Sequence, residues 1–208
     1  MVRLASYDGR SMFGGFSFGD QENLIAGRMG TAAFYEKKGR YDRAIREYDQ
    51  LLKFLPGRSD ILMARALDKL KLRRYDDAIA DYSTVVHGAS GGALGDALSA
   101  RCFARAVAGK DFPAALADCN KAIDISPDNE DAYTSRGFLH FRMVDLAAAS
   151  TDLDQAVSLS PRDADALYLR GLVKRAQGDK AGGDADIATA TTIESQIAET
   201  YSVFGVNP

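Results

Sequence analysis

Apolar residues recur along most of the chain at intervals of three and four, the spacing that gathers them on one face of an α-helix. From about Glu22 onward they fall into pairs of amphipathic stretches of 12 to 16 residues. Short turns join the two stretches of each pair: Gly39-Arg40-Tyr41, Arg73-Arg74-Tyr75, Gly109-Lys110-Asp111-Phe112, Met143-Val144-Asp145-Leu146 and Gly178-Asp179-Lys180. Turns this short leave the two helices of a pair antiparallel and adjacent.

The pairs are copies of one another. Ala44, Ala78, Ala115, Ala149 and Gly183 align, as do Tyr48, Tyr82, Cys119, Leu153 and Ile187, with spacings of 34, 37, 34 and 34 residues. A third aligned set, Pro56, Ser90, Pro127, Pro161 and Ser195, puts a helix breaker or turn former where each copy ends. Hairpins repeated at this period predict an all-α solenoid in which each unit packs on its neighbours. The expected array runs over 23–193, with units at about 25–58, 59–94, 95–129, 130–163 and 164–193. One extra residue in the third turn and two in Gly88-Ala89-Ser90-Gly91-Gly92 account for the longer spacing, and that glycine-rich stretch reads as the loosest loop.

The two ends differ from the array. In 194–208, Ile197, Ala198, Tyr201 and Phe204 share one helical face and predict a capping helix over the array's open end. Residues 1–22 scatter Gly9, Gly14, Gly15 and Gly19 among Met12, Phe13, Phe16 and Phe18, a mixture that encodes no helix. That arm is either an idle tail or a docking element that packs on the first repeat, enters the groove or mediates self-association.

Four first helices open alike. Asp60-Ile61-Leu62-Met63-Ala64-Arg65-Ala66-Leu67 returns as Asp96-Ala97-Leu98-Ser99-Ala100-Arg101-Cys102-Phe103, as Asp131-Ala132-Tyr133-Thr134-Ser135-Arg136-Gly137-Phe138 and as Asp165-Ala166-Leu167-Tyr168-Leu169-Arg170-Gly171-Leu172. On these residues the chain resembles a tetratricopeptide repeat protein over about 25–195. Leu62, Leu98, Tyr133 and Leu167 match the family's early large position, and Ala66, Cys102, Gly137 and Gly171 match the small position four residues later. The first unit departs with Arg28 at the large position, and the fifth with Lys180, Gly183 and no closing Pro.

The resemblance implies a right-handed solenoid acting as a protein-interaction scaffold, with the partner held in a concave groove lined by the first helices. Carried onto this chain, the groove positions include Met29, Met63, Leu67, Leu70, Phe103, Phe138, Phe141, Tyr168 and Leu172, with Asp60, Asp96, Asp131 and Asp165 along one margin. Such a groove suits an apolar peptide or helix bearing basic residues, with Phe138 and Phe141 as anchors. The bland alternatives are that the apolar floor is core between repeats and that the aspartates are helix caps. Co-chaperones of this family grip the acidic tails of heat-shock chaperones with Lys, Asn and Arg. The corresponding positions here hold residues such as Met63, Leu67, Ala100 and Asp131, the wrong charge for that carboxylate clamp. The alternative function is a structural subunit of a larger assembly, for instance at a cell envelope, using the arm and the outer faces.

Two charged sets repeat as faithfully as the core. Arg65, Arg101, Arg136 and Arg170 lie in first helices, and Glu47, Asp81, Asp118, Asp152 and Asp186 in second helices. A charge inside a packed hairpin needs a partner, so these predict a structural ladder of ion pairs within the hairpins rather than a ligand site.

Composition narrows the picture further. With 26 Lys+Arg against 29 Asp+Glu the net charge is -3 and no basic cluster stands out, which argues against nucleic acid and against the pentatricopeptide RNA readers that share the hairpin plan. No apolar run is long enough for membrane insertion, and Met1 to Gly30 lacks a signal-peptide core. The sequence as given favours a cytoplasmic location, and a signal already removed would leave a periplasmic or secreted one open. Cys102 and Cys119 read most simply as buried core thiols, with a disulfide or metal pair as the alternative. His87 and His140 sit in different units, one at a helix end and one on a packed face, and pair with no nucleophile. No phosphate-binding glycine motif or metal-ligand spacing is present, so the expectation is a non-catalytic protein without cofactor or metal.

Overall fold

The turns decide the architecture. Just past the first helix of each hairpin a residue enters the left-handed region, Gly39 (φ 65°), Arg73 (58°), Gly109 (65°), Val144 (64°) and Gly178 (96°), and in the third turn Asp111 (48°) does so as well. The next amide then bonds back across five residues, from Arg40 to the Tyr35 carbonyl, Arg74 to Lys69, Lys110 to Arg105, Asp145 to His140 and Asp179 to Lys174. This is the Schellman closure, which satisfies the last carbonyls of the helix while reversing the chain. It is made five times over.

A computed structural model describes residues 18–206, with side chains from Glu22 onward. Eleven helices follow in order among the described residues: α1 (Phe18–Lys37), α2 (Tyr41–Phe54), α3 (Ser59–Lys71), α4 (Tyr75–Gly88), α5 (Gly91–Ala108), α6 (Phe112–Ile125), α7 (Glu130–Arg142), α8 (Leu146–Leu159), α9 (Ala164–Ala176), α10 (Lys180–Ile193) and α11 (Ile197–Val203). They form two units that meet in sequence at Pro56 and Gly57. The first contains α1 and α2, packed through Ala44, Ile45 and Tyr48. The second contains α3 to α11, an all-α solenoid of four hairpins followed by the C-terminal helix.

Several sequence expectations need correction. The helix starts at Phe18, inside the segment expected to be an arm, while residues 1–17, including Met12, Phe13 and Phe16, lie outside the described residues. The glycine-rich stretch is no loose loop, because α4 continues to Gly88 and α5 begins at Gly91 with Ser90 as its N-cap residue. The third unit therefore absorbs its extra residues as helix, and α5 has 18 residues against 13 in α3, α7 and α9. Cys102 and Cys119 are fully buried but are not free thiols, for a disulfide joins them and ties α5 to α6. Cys119 stands where Tyr48 and Tyr82 stand in other copies, and Cys102 at the small position opposite, so the aligned packing pair of the repeat has become a covalent one.

Close packing explains the glycines of the last units. A Cβ on Gly171 would fall 2.8 Å from the Gly183 carbonyl oxygen, and one on Gly183 would fall 2.6 Å from the Gly171 carbonyl oxygen, so α9 and α10 approach backbone to backbone. In α7 a Cβ on Gly137 would meet Leu153 at 2.7 Å. The small position admits nothing larger in these units because the neighbouring helix already occupies the space.

Inside each hairpin the two charged sets come together. Arg65 holds Asp81 through Nε (2.9 Å) and Nη2 (2.7 Å), and Arg101 holds Asp118 at 2.8 and 2.7 Å. Arg136 holds Asp152 at 2.9 and 2.7 Å, and Arg170 holds Asp186 at 2.7 and 2.9 Å. These are bidentate forks on buried carboxylates, geometry that suits guanidinium and not ammonium. In the first unit Glu47 takes its bond from Arg28 at 2.6 Å, an arginine one helical turn earlier than the aligned set.

Two further sets of contacts extend the ladder. Lys69, Arg105 and Lys174, one turn after the arginines, also bond Asp81, Asp118 and Asp186, while His140 Nε2 stands 3.8 Å from Asp152. The remaining guanidinium nitrogen of three arginines reaches back to the preceding hairpin, from Arg101 to Ser83, Arg136 to Asn120 and Arg170 to Asp154. Each of these arginines thus joins its own hairpin and connects it to the one before.

Candidate partner-binding groove

First helices of the second unit place every third or fourth residue on one face, and successive units line these residues up. Together with α11 they enclose an open cavity of about 390 Å³, lined by Met63, Leu67 and Lys71 of α3, Asp96, Ser99 and Phe103 of α5, and Asp131 and Thr134 of α7. Asp165 of α9, Glu194 and α11's Thr200 and Tyr201, with the adjoining Phe204, complete the wall. Of the apolar groove positions read from the sequence, Met63, Leu67 and Phe103 open into this cavity. Met29 is part-buried on α1 in the first unit, and Phe141 is half-buried against the core.

Leu70, Phe138, Tyr168 and Leu172 do not form an open floor. They are 0%, 0%, 0% and 5% exposed. Over Phe138 and Tyr168 the covering element is α11, which with the adjoining Phe204 reaches beyond the last hairpin. The Tyr201 ring stacks on Tyr168 at 5.1 Å between centroids and meets Phe138 edge-on at 6.2 Å. Phe204 meets Phe103, two hairpins back, at 5.5 Å. Such offset and edge-to-face aromatic contacts are favourable beyond the area they bury. Phe138 is therefore core, and the expectation that it anchors a partner directly is corrected, because Tyr201 packs over its ring and leaves it no exposed surface.

The aspartates are not caps either. Asn129 and Asp163 hold the N-cap positions of α7 and α9, accepting bonds from Ala132 and from Asp165 and Ala166. Asp131 and Asp165 come two residues later, inside the first turn, where a carboxylate is still favoured by the helix dipole but points outward. Asp60 accepts a bond from Arg58 at 3.0 Å, and Asp96, well inside the lengthened α5, accepts one from Asn129 at 2.8 Å. The sequence could not separate cap from first turn because one residue of shift decides it.

These acids crowd one another. Asp165 opens toward the groove yet is surrounded by protein, and burial pushes its carboxyl up to about 6, with the charges of Asp163, Glu194 and Asp131 adding and the Tyr201 hydroxyl bond opposing. Burial likewise raises Asp131, reinforced by Glu130, Asp163 and Asp96. Tyr201, buried against Asp165, is held protonated well beyond the ordinary phenol range. The open cavity is thus an apolar trough with an acidic wall. Lys71 is its one basic residue. Among the described residues no cluster of His, Cys, Asp or Glu is arranged to hold a metal, and no helix is long and apolar enough to cross a membrane.

Two sequence models of the tetratricopeptide repeat match residues 63–130 and 103–174, together more than half of the chain. The chain belongs to the tetratricopeptide repeat family. Its solved structural relatives carry the same architecture. A thermophilic tetratricopeptide repeat protein of Thermus thermophilus superposes with a TM-score of 0.71 at 19% identity, covering 89% of this chain and 97% of its own. A tetratricopeptide repeat protein from Parabacteroides merdae gives 0.71 at 22% identity, covering 88% of this chain and 71% of its own. The MamA protein gives 0.54 at 21% identity, covering 86% and 96%. No curated protein matches the chain in sequence. Tetratricopeptide repeat proteins are protein-interaction scaffolds that bind protein or peptide partners and are in general not catalysts. Phe103 and Phe138 share one repeat position, and both meet aromatic residues of the C-terminal segment.

Proposed function

We propose that this tetratricopeptide repeat protein is a non-catalytic adaptor whose second unit holds an apolar segment bearing basic residues. The observation that carries the reading is the cavity itself, where Met63, Leu67 and Phe103 lie beside Asp96, Asp131, Asp165 and Glu194. Apolar contact supplies affinity, and the acidic wall selects cationic partners and rejects acidic ones. Leu67 is the exposed element, at 41%, an accessible leucine at a groove position of the second unit.

The test is a binding measurement with labelled helical peptides of matched apolar content and opposite charge. Leu67→Asp is expected to weaken binding of the basic peptide by about ten-fold, the scale of losing one buried apolar contact, with the melting temperature unchanged. Equal affinity in the variant would remove the cavity as the site.

A further inference from the structure

The segment seated in the groove fits it in shape and opposes it in charge. Ile197, Tyr201, Phe204 and Val206 are 1%, 1%, 4% and 4% exposed, and the two aromatics dock on Tyr168, Phe138 and Phe103 from three successive hairpins. A helix that only sealed the end of a solenoid would cover the last hairpin, since units contact nearest neighbours. This one reaches two units further back, along the positions that face the cavity. Between Glu194 and Val206 the chain contains Glu194 and Glu199 but no Lys or Arg. The segment therefore enters a wall of Asp96, Asp131, Asp163 and Asp165 bringing only negative charge, with the Tyr201 hydroxyl as its polar tie to Asp165. At seven residues α11 is also too short to hold helical form without its docking contacts.

We propose that Ile197–Val206 is a resident occupant of the groove, anchored by Tyr201 and Phe204 but mismatched in charge, and that the partner is a helical segment with two aromatic residues three positions apart flanked by Lys or Arg, which displaces it. This rests on the adaptor reading and names both the partner's chemistry and the competitor it must remove. The partner reproduces the aromatic pair in the pockets over Tyr168 and Phe103 and adds the positive charge that the resident segment lacks. Affinity for such a partner is reduced by the fraction of time the resident segment is docked, so loosening the segment strengthens binding.

The probe is a fluorescein-labelled synthetic peptide carrying Tyr and Phe three positions apart with two flanking lysines, titrated against the full chain by anisotropy while amide hydrogen exchange of 197–206 is followed. On the wild-type chain, bound peptide is expected to accelerate exchange throughout 197–206. Tyr201→Ala with Phe204→Ala is expected to bind the peptide at least about ten-fold more tightly, because the competitor is gone. Thr200→Lys changes a half-buried residue that lines the cavity beside the acidic wall and leaves the docking aromatics intact. By giving the resident segment the missing charge it is expected to weaken peptide binding about five-fold, the scale of one partly exposed ion pair. Peptide that binds wild type and both variants equally, with 197–206 still protected, overturns the displacement and leaves the adaptor reading standing. Peptide that binds none of the three proteins, the double variant with its empty groove included, overturns both.

Discussion

The Tyr201 ring lies on the Tyr168 ring, 26° from parallel and 5.1 Å away, and each is at most 1% exposed. This contact turns the C-terminal helix from an end cap into part of the groove. Removing it by Tyr201→Ala leaves a cavity over Tyr168 and Phe138 and is expected to cost about 3–5 kcal/mol, as for other buried aromatic truncations. Denaturant unfolding of the variant checks the figure, and a change below about 1 kcal/mol would mean that α11 contributes little to the fold.

Asp165 makes that docking depend on pH. Its folded carboxyl is raised to about 6 from an ordinary 3.8, so between these values the folded chain keeps a proton that the unfolded chain has lost. Its contribution to stability is then present in full below 3.8 and disappears as pH rises through 6. Asp186 works the opposite way, because the Arg170 and Lys174 bonds outweigh its burial and lower its carboxyl, and its contribution is lost on acidification below 3.8. Comparing wild type with Asp165→Asn isolates the first effect. The protection factors of the α11 amides, which are exchange rates corrected for the intrinsic pH dependence of amide exchange, are expected to rise between pH 7 and pH 5 in the wild type and to stay flat across the same interval in the variant.

Arg136 binds Asp152 with two nitrogens and Asn120 with the third, so one side chain spans α6, α7 and α8. Arg136→Ala is expected to destabilise by about 3–5 kcal/mol, because it leaves the Asp152 carboxylate, 6% exposed, without its fork. Arg136→Lys should fall between, since an ammonium cannot make both parallel bonds. Chemical denaturation of the pair orders them. Equal stabilities for wild type and Arg136→Ala would take the ladder out of the account.

Val144 holds a left-handed conformation (φ 64°) with 79% of its surface exposed, at the turn position that is glycine in three other hairpins. A β-branched residue there is strained and its side chain gains little burial. Val144→Gly is expected to raise stability by about 1 kcal/mol, read as a higher melting temperature. An unchanged or lower melting temperature would show that Val144 is held by contacts worth more than the strain.

What the sequence disclosed, and what it hid, follow from local and non-local physics. Ala44, Ala78 and their aligned partners encode helix faces, so period and turn place the hairpins without reference to anything distant. Arg65 and Asp81 were legible because the same pair recurs in every later copy. The second cation is not legible as a repeat because Lys69, Arg105, His140 and Lys174 differ in type while sharing a position. Phe138 looked open because periodicity records which face a residue takes and not what later folds over it. The helical face of Ile197, Tyr201 and Phe204 was visible, but its landing place depends on contacts up to a hundred residues away in sequence, such as Phe204 on Phe103. The bond between Cys102 and Cys119 depends on two helix faces meeting, which composition alone does not fix.

On the proposed reading, the acidic wall of the second unit selects a basic, apolar partner. Its most direct test is the dissociation constant of two helical peptides, alike in their aromatic residues and carrying either lysines or glutamates, on wild type and on Asp131→Lys. Asp131 opens into the cavity and makes no ladder contact, so the fold is expected to survive the change. Wild type is expected to prefer the lysine peptide by about ten-fold or more, and Asp131→Lys is expected to narrow or reverse the preference. Equal binding of both peptides to wild type, or a preference for the glutamate peptide, would contradict it.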